Sequence, residues 1–304
     1  MRALLFGGLA VLLAAGATLA PAFAETTDQP APTIAQAPAL NHVYVVLDAA
    51  TYAAIRDSRE LADLLGRADG GLPDYAPPTP NADRVFFRGR RTYLEFFAPD
   101  NRFNEPVGKV GVALGYDEPA PFDALEQTWR ASCGDQVRRS QADWRRSEPP
   151  TPWYDALQCD DTAVGPLAIW AMVYRPEFLR WQSGAGLEAP PRTARADVLA
   201  SRRQAGQGRF EVTGVTVDVS PPLQAKLVAQ LEQAGFERLD TPAGVRLRGD
   251  DWEFLLRRAD GPSRRVVLHL ATDLPLTEPL TLGRARAAPR DVSGAVIQFE
   301  LPEP

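Results

Sequence analysis

The sequence predicts an α+β protein made of two βαβββ modules that form a shared cavity. Three observations carry this. The stretch Leu40-Asn41-His42-Val43-Tyr44-Val45-Val46-Leu47-Asp48 alternates like a strand and holds one of the two histidines in the chain. A weaker echo, Val212-Thr213-Gly214-Val215-Thr216-Val217-Asp218-Val219, recurs about 170 residues later. After each stretch the elements follow in one order: helix, strand, Arg-Gly turn, a strand with a glutamate, and a further strand. A single such unit leaves one sheet face uncovered, whereas two can shield each other and leave a hollow between them.

Residues Met1 to Ala24 read as a signal peptide, with Arg2 as the basic end, an apolar run from Leu4 to Leu19, and the small-x-small site Ala22-Phe23-Ala24. Residues 25–39 are rich in Pro, Ala, Thr and Gln without apolar period and read as a disordered linker. The first module is expected over 40–135. His42 to Asp48 is its first strand, and apolar spacing from Thr51 to Leu65 predicts a helix. A Gly- and Pro-rich loop follows. Arg84–Phe87, Thr92–Phe97 and Val107–Tyr116 are the remaining strands, with Arg88-Gly89-Arg90 as a turn.

A connecting segment, 136–208, comes next. The helix ahead of it, Phe122–Ala131, has Phe122, Leu125 and Trp129 on one side. Arg138–Pro152 is polar and reads as exposed connection. Leu167–Tyr174 is an apolar strand, Pro176–Trp181 is a short helix or turn, and a second linking helix is expected at Arg195–Gln204. The second module is expected over 209–304. Glu211–Val219 is its first strand, Pro221–Ala234 a helix opened by prolines and ended by Gly235. Gly244–Leu247, Trp252–Leu256 and Arg265–Ala271 are strands, and Ala295–Phe299 adds an edge strand.

Composition narrows the function. The 33 basic and 39 acidic residues are mildly acidic in sum, and no basic block offers a surface for phosphates, so nucleic acid is excluded as an expected partner. After cleavage of the signal no span of about 20 apolar residues remains, so no membrane span is expected and the location is periplasmic or secreted. An oxidising compartment makes a disulfide the default state of Cys133 and Cys159. There is no Gly-rich phosphate loop, nucleophile elbow or zinc-protease motif.

The alternation sorts side chains by face. His42, Tyr44 and Val46 share one side of the first strand, and Val43, Val45 and Leu47 the other. Tyr93, Glu95 and Phe97 likewise share a side. The aliphatic faces should pack on helices, leaving His42 and Glu95 toward the cavity. A carboxylate on so aromatic a strand needs a partner or a raised pKa. It is either a base beside His42, with or without a metal, or one half of a structural pair with His42 or an arginine such as Arg91. Tyr44, Phe86, Tyr93, Phe97, Trp170 and Trp252 could line a pocket for a flat ligand or be ordinary core. Of these, Tyr44, Tyr93, Phe97 and Trp252 are the candidate ligand contacts.

A two-fold βαβββ array with an early-strand His and a later-strand Glu resembles the vicinal oxygen chelate superfamily, which includes glyoxalase I, extradiol dioxygenases and bleomycin-resistance proteins. The motifs around His42, around Glu95 and from Trp170 to Phe178 are similar to those of an uncharacterised glyoxalase-like bacterial family. The resemblance implies a possible divalent metal held by His42 and Glu95, with Glu253 as the counterpart of Glu95 in the repeat. Gly214 takes the place of the other histidine, so the ligand set is short of one donor. His269 could replace it if turned inward. A His, His, carboxylate iron triad is also incomplete. Three functions follow as expectations: a cavity that binds a small organic ligand, a metal-dependent lyase or isomerase with Glu95 as base, and a non-catalytic envelope protein.

Overall fold

The computed structural model describes residues 36–159, 166–184, 194–201, 203–259 and 263–302. The expected signal segment and residues 25–35 of the expected linker lie outside them. Two mixed sheets with helices make up the fold. The first orders its strands β2 (Arg84–Arg88), β3 (Tyr93–Phe97), β1 (Ala39–Val46), β4 (Val110–Tyr116), β7 (Leu167–Tyr174), β6 (Thr151–Cys159), β5 (Val137–Trp144), and the second β13 (Leu280–Leu282), β14 (Ala285–Asp291), β15 (Gly294–Pro302), β12 (Ser263–Thr272), β8 (Phe210–Val219), β11 (Glu253–Arg258), β10 (Gly244–Arg248), β9 (Glu237–Thr241).

Both predicted modules are present with the same pairings. In the first, β1 (Ala39–Val46) lies parallel to β3 (Tyr93–Phe97) and antiparallel to β4 (Val110–Tyr116), while β2 (Arg84–Arg88) pairs antiparallel with β3. In the second, β8 (Phe210–Val219) lies parallel to β11 (Glu253–Arg258) and antiparallel to β12 (Ser263–Thr272), while β10 (Gly244–Arg248) pairs with β11. Parallel neighbours require a crossover, and helices supply it. Between β1 and β2 the expected single helix is two. α1 (Ala49–Asp57) is capped by Asp48, whose carboxylate accepts from Thr51 N at 3.0 Å. Ser58 then leaves helical geometry and caps α2 (Arg59–Leu65), accepting from Leu61 N at 3.1 Å. α6 (Pro221–Gln233) opens on proline and gives way to Gly235 at φ 93°.

The segment expected as a connection is part of the first sheet. After α3 (Pro119–Cys133) come β5 (Val137–Trp144), β6 (Thr151–Cys159) and β7 (Leu167–Tyr174), and β7 runs parallel to β4. Arg138–Pro152, read as exposed connection, is exposed but includes β5, whose middle residues face solvent. The pairing therefore repeats inside the sheet. β1-α1/α2-β2-β3 and β4-α3-β5-β6-β7 each send a strand through a helix, make a hairpin, and return parallel to the first strand. Their first strands meet antiparallel at the centre. β8-α6-β9-β10-β11 repeats the plan, with β9 (Glu237–Thr241) as the outer hairpin strand. The last arm runs from β12 through β13 (Leu280–Leu282) and β14 (Ala285–Asp291) to β15 (Gly294–Pro302) with no described helix, so β15 returns antiparallel. The strand expected at the edge, 295–299, is interior, and β13 forms the edge. α4 (Pro176–Ser183) and α5 (Arg195–Ala200) complete the set.

The aliphatic faces turn inward onto one core. Val43 and Val45 of β1, Val215 and Val217 of β8, Leu64 of α2, Trp129 of α3 and Leu231 of α6 all belong to it. Phe96 of β3 meets Phe299 of β15 at 5.9 Å between centroids, and Trp129 Nε1 donates to Gln230 O at 3.3 Å. Cys133 at the end of α3 is bonded to Cys159 at the end of β6, with Cα atoms 6.2 Å apart. No helix among the described residues is long and apolar enough to cross a membrane.

Candidate functional site

Because the aliphatic side of β1 faces the core, the side bearing His42 and Tyr44 is turned outward, and there the first sheet forms a cavity of about 690 Å³. One wall comes from the predicted residues: His42 and Tyr44 from β1, Arg84 from β2, and Tyr93, Glu95 and Phe97 from β3. The other comes from the segment read as a connection: Trp144, Trp153 and Tyr154 on β5 and β6, and Trp170 and Met172 on β7. A smaller hollow of about 90 Å³, reaching Tyr75, Arg88 and Phe178, shares Arg84, Tyr93, Glu95, Trp144 and Trp153 with it.

The first wall is a layer of paired rings. His42 stacks on Tyr93 (centroids 4.4 Å apart, 13° between planes), and Tyr44 stacks on Phe97 (5.0 Å, 9°). Strand pairing dictates these partners, since His42 registers with Tyr93 and Val46 with Phe97, next to Tyr44. Trp170 stands edge-on to His42 at 5.3 Å and tilted to Tyr44 at 5.8 Å. Phe103, half exposed at the mouth, extends the Tyr44–Phe97 stack. Tyr44 needs Gly111 beneath it: a Cβ there would lie 2.0 Å from Tyr44 Cε1.

Burial sets the protonation states. His42 is 7% exposed, and loss of solvation, with a smaller push from the Arg88 cation, lowers its pKa to about 3, so it is a neutral imidazole at neutral pH. Its Nδ1 is 2.8 Å from Asn41 Oδ1, which orients the ring with Nδ1 as donor. Burial also raises Glu95, against the opposing attraction of Arg84 and Arg88. Its partner is Arg84, with Nη1 3.1 Å from Oε1. Of the alternatives raised for Glu95, the pair with an arginine is the one present, and the arginine is Arg84: no hydrogen bond joins Glu95 to His42, and Arg91 pairs instead with Asp251. Arg84 also lies over the rings of Phe86 and Phe103. Tyr44, Tyr93 and Tyr154 line this space, and their hydroxyls hydrogen-bond to no described residue.

The expectation that the second module supplies the facing wall is corrected. Trp252 is buried against Phe236 and Phe254, and its Nε1 donates to Pro38 O at 3.0 Å, away from the cavity. Glu253 lies on the outward face of the second sheet, half exposed and 3.7 Å from Arg246. His269 is on that sheet too, its Nε2 2.9 Å from Thr216 Oγ1. Glu253 and His269 flank Gly214 in register. The reason is topological: β1 meets β4, not β8, so the opposite wall must come from the β4 arm.

That geometry also tests the implied metal. Across from His42 and Tyr44 the β4 register positions are Ala113 and Gly111, which offer no donor. Trp170 stands beside Ala113. Glu95 is engaged by Arg84 and His42 Nδ1 by Asn41. Among the described residues no three of His, Cys, Asp or Glu come together, and Glu253, on the second sheet, does not line the cavity with His42 and Glu95.

The sequence reading missed Arg84, Trp144, Trp153 and Tyr154. One signal was available: Trp144 and Trp153 bracket the Pro149-Pro150 and Pro152 turn in an otherwise polar run, a pair of large rings where a plain connection has no use for them.

The sequence pattern of a family of unknown function, DUF5829, matches residues 40–266. No functionally curated protein matches the chain. Among solved structures it is similar to a hypothetical protein from Staphylococcus aureus, with 11% identity, TM-score 0.47, and coverage of 86% of this chain and 98% of that one. It is also similar to 2,2',3-trihydroxybiphenyl 1,2-dioxygenase from Sphingomonas wittichii (10%, TM-score 0.38, 72% and 68%). A third is a variant of homoprotocatechuate 2,3-dioxygenase from B. fuscum (14%, TM-score 0.37, 77% and 58%).

Proposed function

The chain belongs to the DUF5829 family of unknown function, and on that premise we propose that it is an exported protein that binds a small organic ligand in the cavity of its first sheet. The observation that carries this is the layer of rings around a neutral, oriented His42 in a space of about 690 Å³, a size within the usual range of small-molecule sites. The wall presents flat apolar surface for a ring. It also presents hydrogen-bonding atoms without protein partners, the Tyr44, Tyr93 and Tyr154 hydroxyls, which fix orientation. His42, Tyr44, Tyr93, Phe97 and Trp170 are the ligand contacts of this reading, and Glu95 with Arg84 forms a charged pair at its side.

A ligand that binds only the folded chain raises its melting temperature. Thermal-shift screening of the secreted protein with aromatic and heteroaromatic small molecules is expected to give hits that Trp170→Ala and Tyr93→Ala abolish. Hits that survive both substitutions would place binding elsewhere, and a panel without hits would favour the third expectation, a structural protein. The lyase or isomerase reading keeps a separate check. Protein purified without a histidine tag is expected to carry no stoichiometric metal, and metal lost in His42→Ala would restore that reading.

A further inference from the structure

We infer that the cavity is built for an organic anion, with the acidic group of the ligand held by a subsite on the β5–β6 wall made of Arg145, Arg146 and the indoles of Trp144 and Trp153. The inference rests on the ligand-binding reading above and names the class of ligand.

Charge is the first argument. Among the described residues, four arginines line the cavity, Arg84, Arg102, Arg145 and Arg146, along with Glu95, Glu105 and Asp143. Arg84 is paired with Glu95, Arg102 is held by both carboxylate oxygens of Asp83 at 2.7 and 2.8 Å, and Glu105 is paired with Lys109. Asp143 accepts from the neutral amide of Gln141 at 2.9 Å. What remains unneutralised by an ion pair is two arginines against one aspartate, both arginines on the turn between β5 and β6.

Placement is the second. Arg146 is not a loose surface side chain: its guanidinium lies over the Trp144 ring at 5.4 Å, and Nη1 donates to Leu72 O at 3.2 Å. That fixes it where the main cavity and the smaller hollow meet, since it lines both. A guanidinium stacked on a ring keeps its other N–H groups free for a planar carboxylate.

The third is an unmet hydrogen-bonding demand. Trp144 Nε1 and Trp153 Nε1 are buried donors with no hydrogen-bond partner. Both residues line the two hollows beside Arg146. Donors of this kind are rarely left unmet in a native protein. An oxyanion between Arg146 and the indoles would supply the acceptor, while the ligand's ring lies along His42, Tyr93 and Trp170. The indole rings are then direct reporters, because a nearby carboxylate changes their emission.

The test uses matched pairs of probes on the full-length secreted protein: phenylacetate with phenylacetamide, and 2-naphthoate with 2-naphthamide. Affinity is read from tryptophan fluorescence and confirmed by calorimetry. Each acid is expected to bind at least tenfold more tightly than its amide, with an advantage that shrinks between 50 and 500 mM salt. Arg146→Gln and Arg145→Gln are expected to remove that advantage by weakening the acids more than the amides, and Arg146→Lys to restore part of it. Both arginines are exposed, so the variants retain the fold, which their melting temperatures check. Amides binding as tightly as acids would overturn the anion subsite and leave the cavity reading standing. Binding of neither overturns both. Acid preference that persists in the Arg145→Gln, Arg146→Gln double variant places the anion on Arg84 or Arg102 instead, and overturns the assignment.

Discussion

His42 is the residue on which the acid behaviour of the protein turns. Its imidazole is neutral when folded, with a pKa near 3 against an unfolded value of 6.5. Below 6.5 the unfolded chain takes up a proton that the folded chain refuses, so stability falls as pH drops from about 6.5 toward 3. At about 1.4 kcal/mol per pH unit the loss amounts to several kcal/mol. Denaturant melts at pH 7, 5 and 4 are expected to show this slope, and His42→Gln to flatten it. Glu95 has the opposite sign. Burial raises its folded pKa, so its charged form costs stability as pH rises past the ordinary carboxylate value. Arg84→Ala, which strands that carboxylate, is expected to destabilise by about 2–4 kcal/mol at pH 7 and by less at pH 4, where Glu95 is protonated. Glu95→Gln is expected to cost less than Arg84→Ala, and the reverse order in melts would mean that Glu95 is not held by Arg84. These residues were legible because His is scarce and a Glu between Tyr93 and Phe97 is conspicuous. The arginine that neutralises Glu95 was not, because β2 pairs with β3 in a register that sequence spacing leaves open.

At the level of elements, the strands found from sequence are those with an apolar face: β1 to β4, β7, β8, β10 to β12 and β15. The ones overlooked, β5, β6, β9, β13 and β14, lie toward sheet margins, and β5 and β9 are largely exposed, so their composition reads as loop. The β5–β6 hairpin is also the element that most needs fastening, and it is fastened twice. The Cys133–Cys159 bond ties it to α3, and Arg139 reaches Asp123, Glu126 and Asp155 from its outer strand. Cys133→Ser with Cys159→Ser is expected to lower unfolding free energy by about 2–4 kcal/mol. Since the hairpin is one wall of the cavity, ligand affinity should fall as well. Unchanged affinity in the reduced form would show that the hairpin keeps its place without the bond.

For the molecule as a whole, the two sheets share a core, so they should unfold together. Tryptophan emission reports mainly on the first half, because five of the six tryptophans, all but Trp252, precede β8. Far-UV circular dichroism reports on both sheets. Their denaturation curves are expected to coincide in the wild type and in Phe299→Ala, which removes the contact with Phe96 and should cost about 3–5 kcal/mol. Separate midpoints would mean two folding units. The duplicated plan was readable from the recurrence of elements, but not which strands would adjoin. That is decided by β1 pairing with β4 and β8 with β12, long-range choices that leave no mark in local periodicity.

The ring of Tyr44 lying on Gly111 constrains how this sheet could change over evolutionary time. Any side chain arriving at 111 meets that ring before it meets anything else, so position 44 must shrink first. A coordinating residue at position 111 therefore lies at least two ordered mutations away, and the intermediate would already have lost the stacked surface on which the present wall depends.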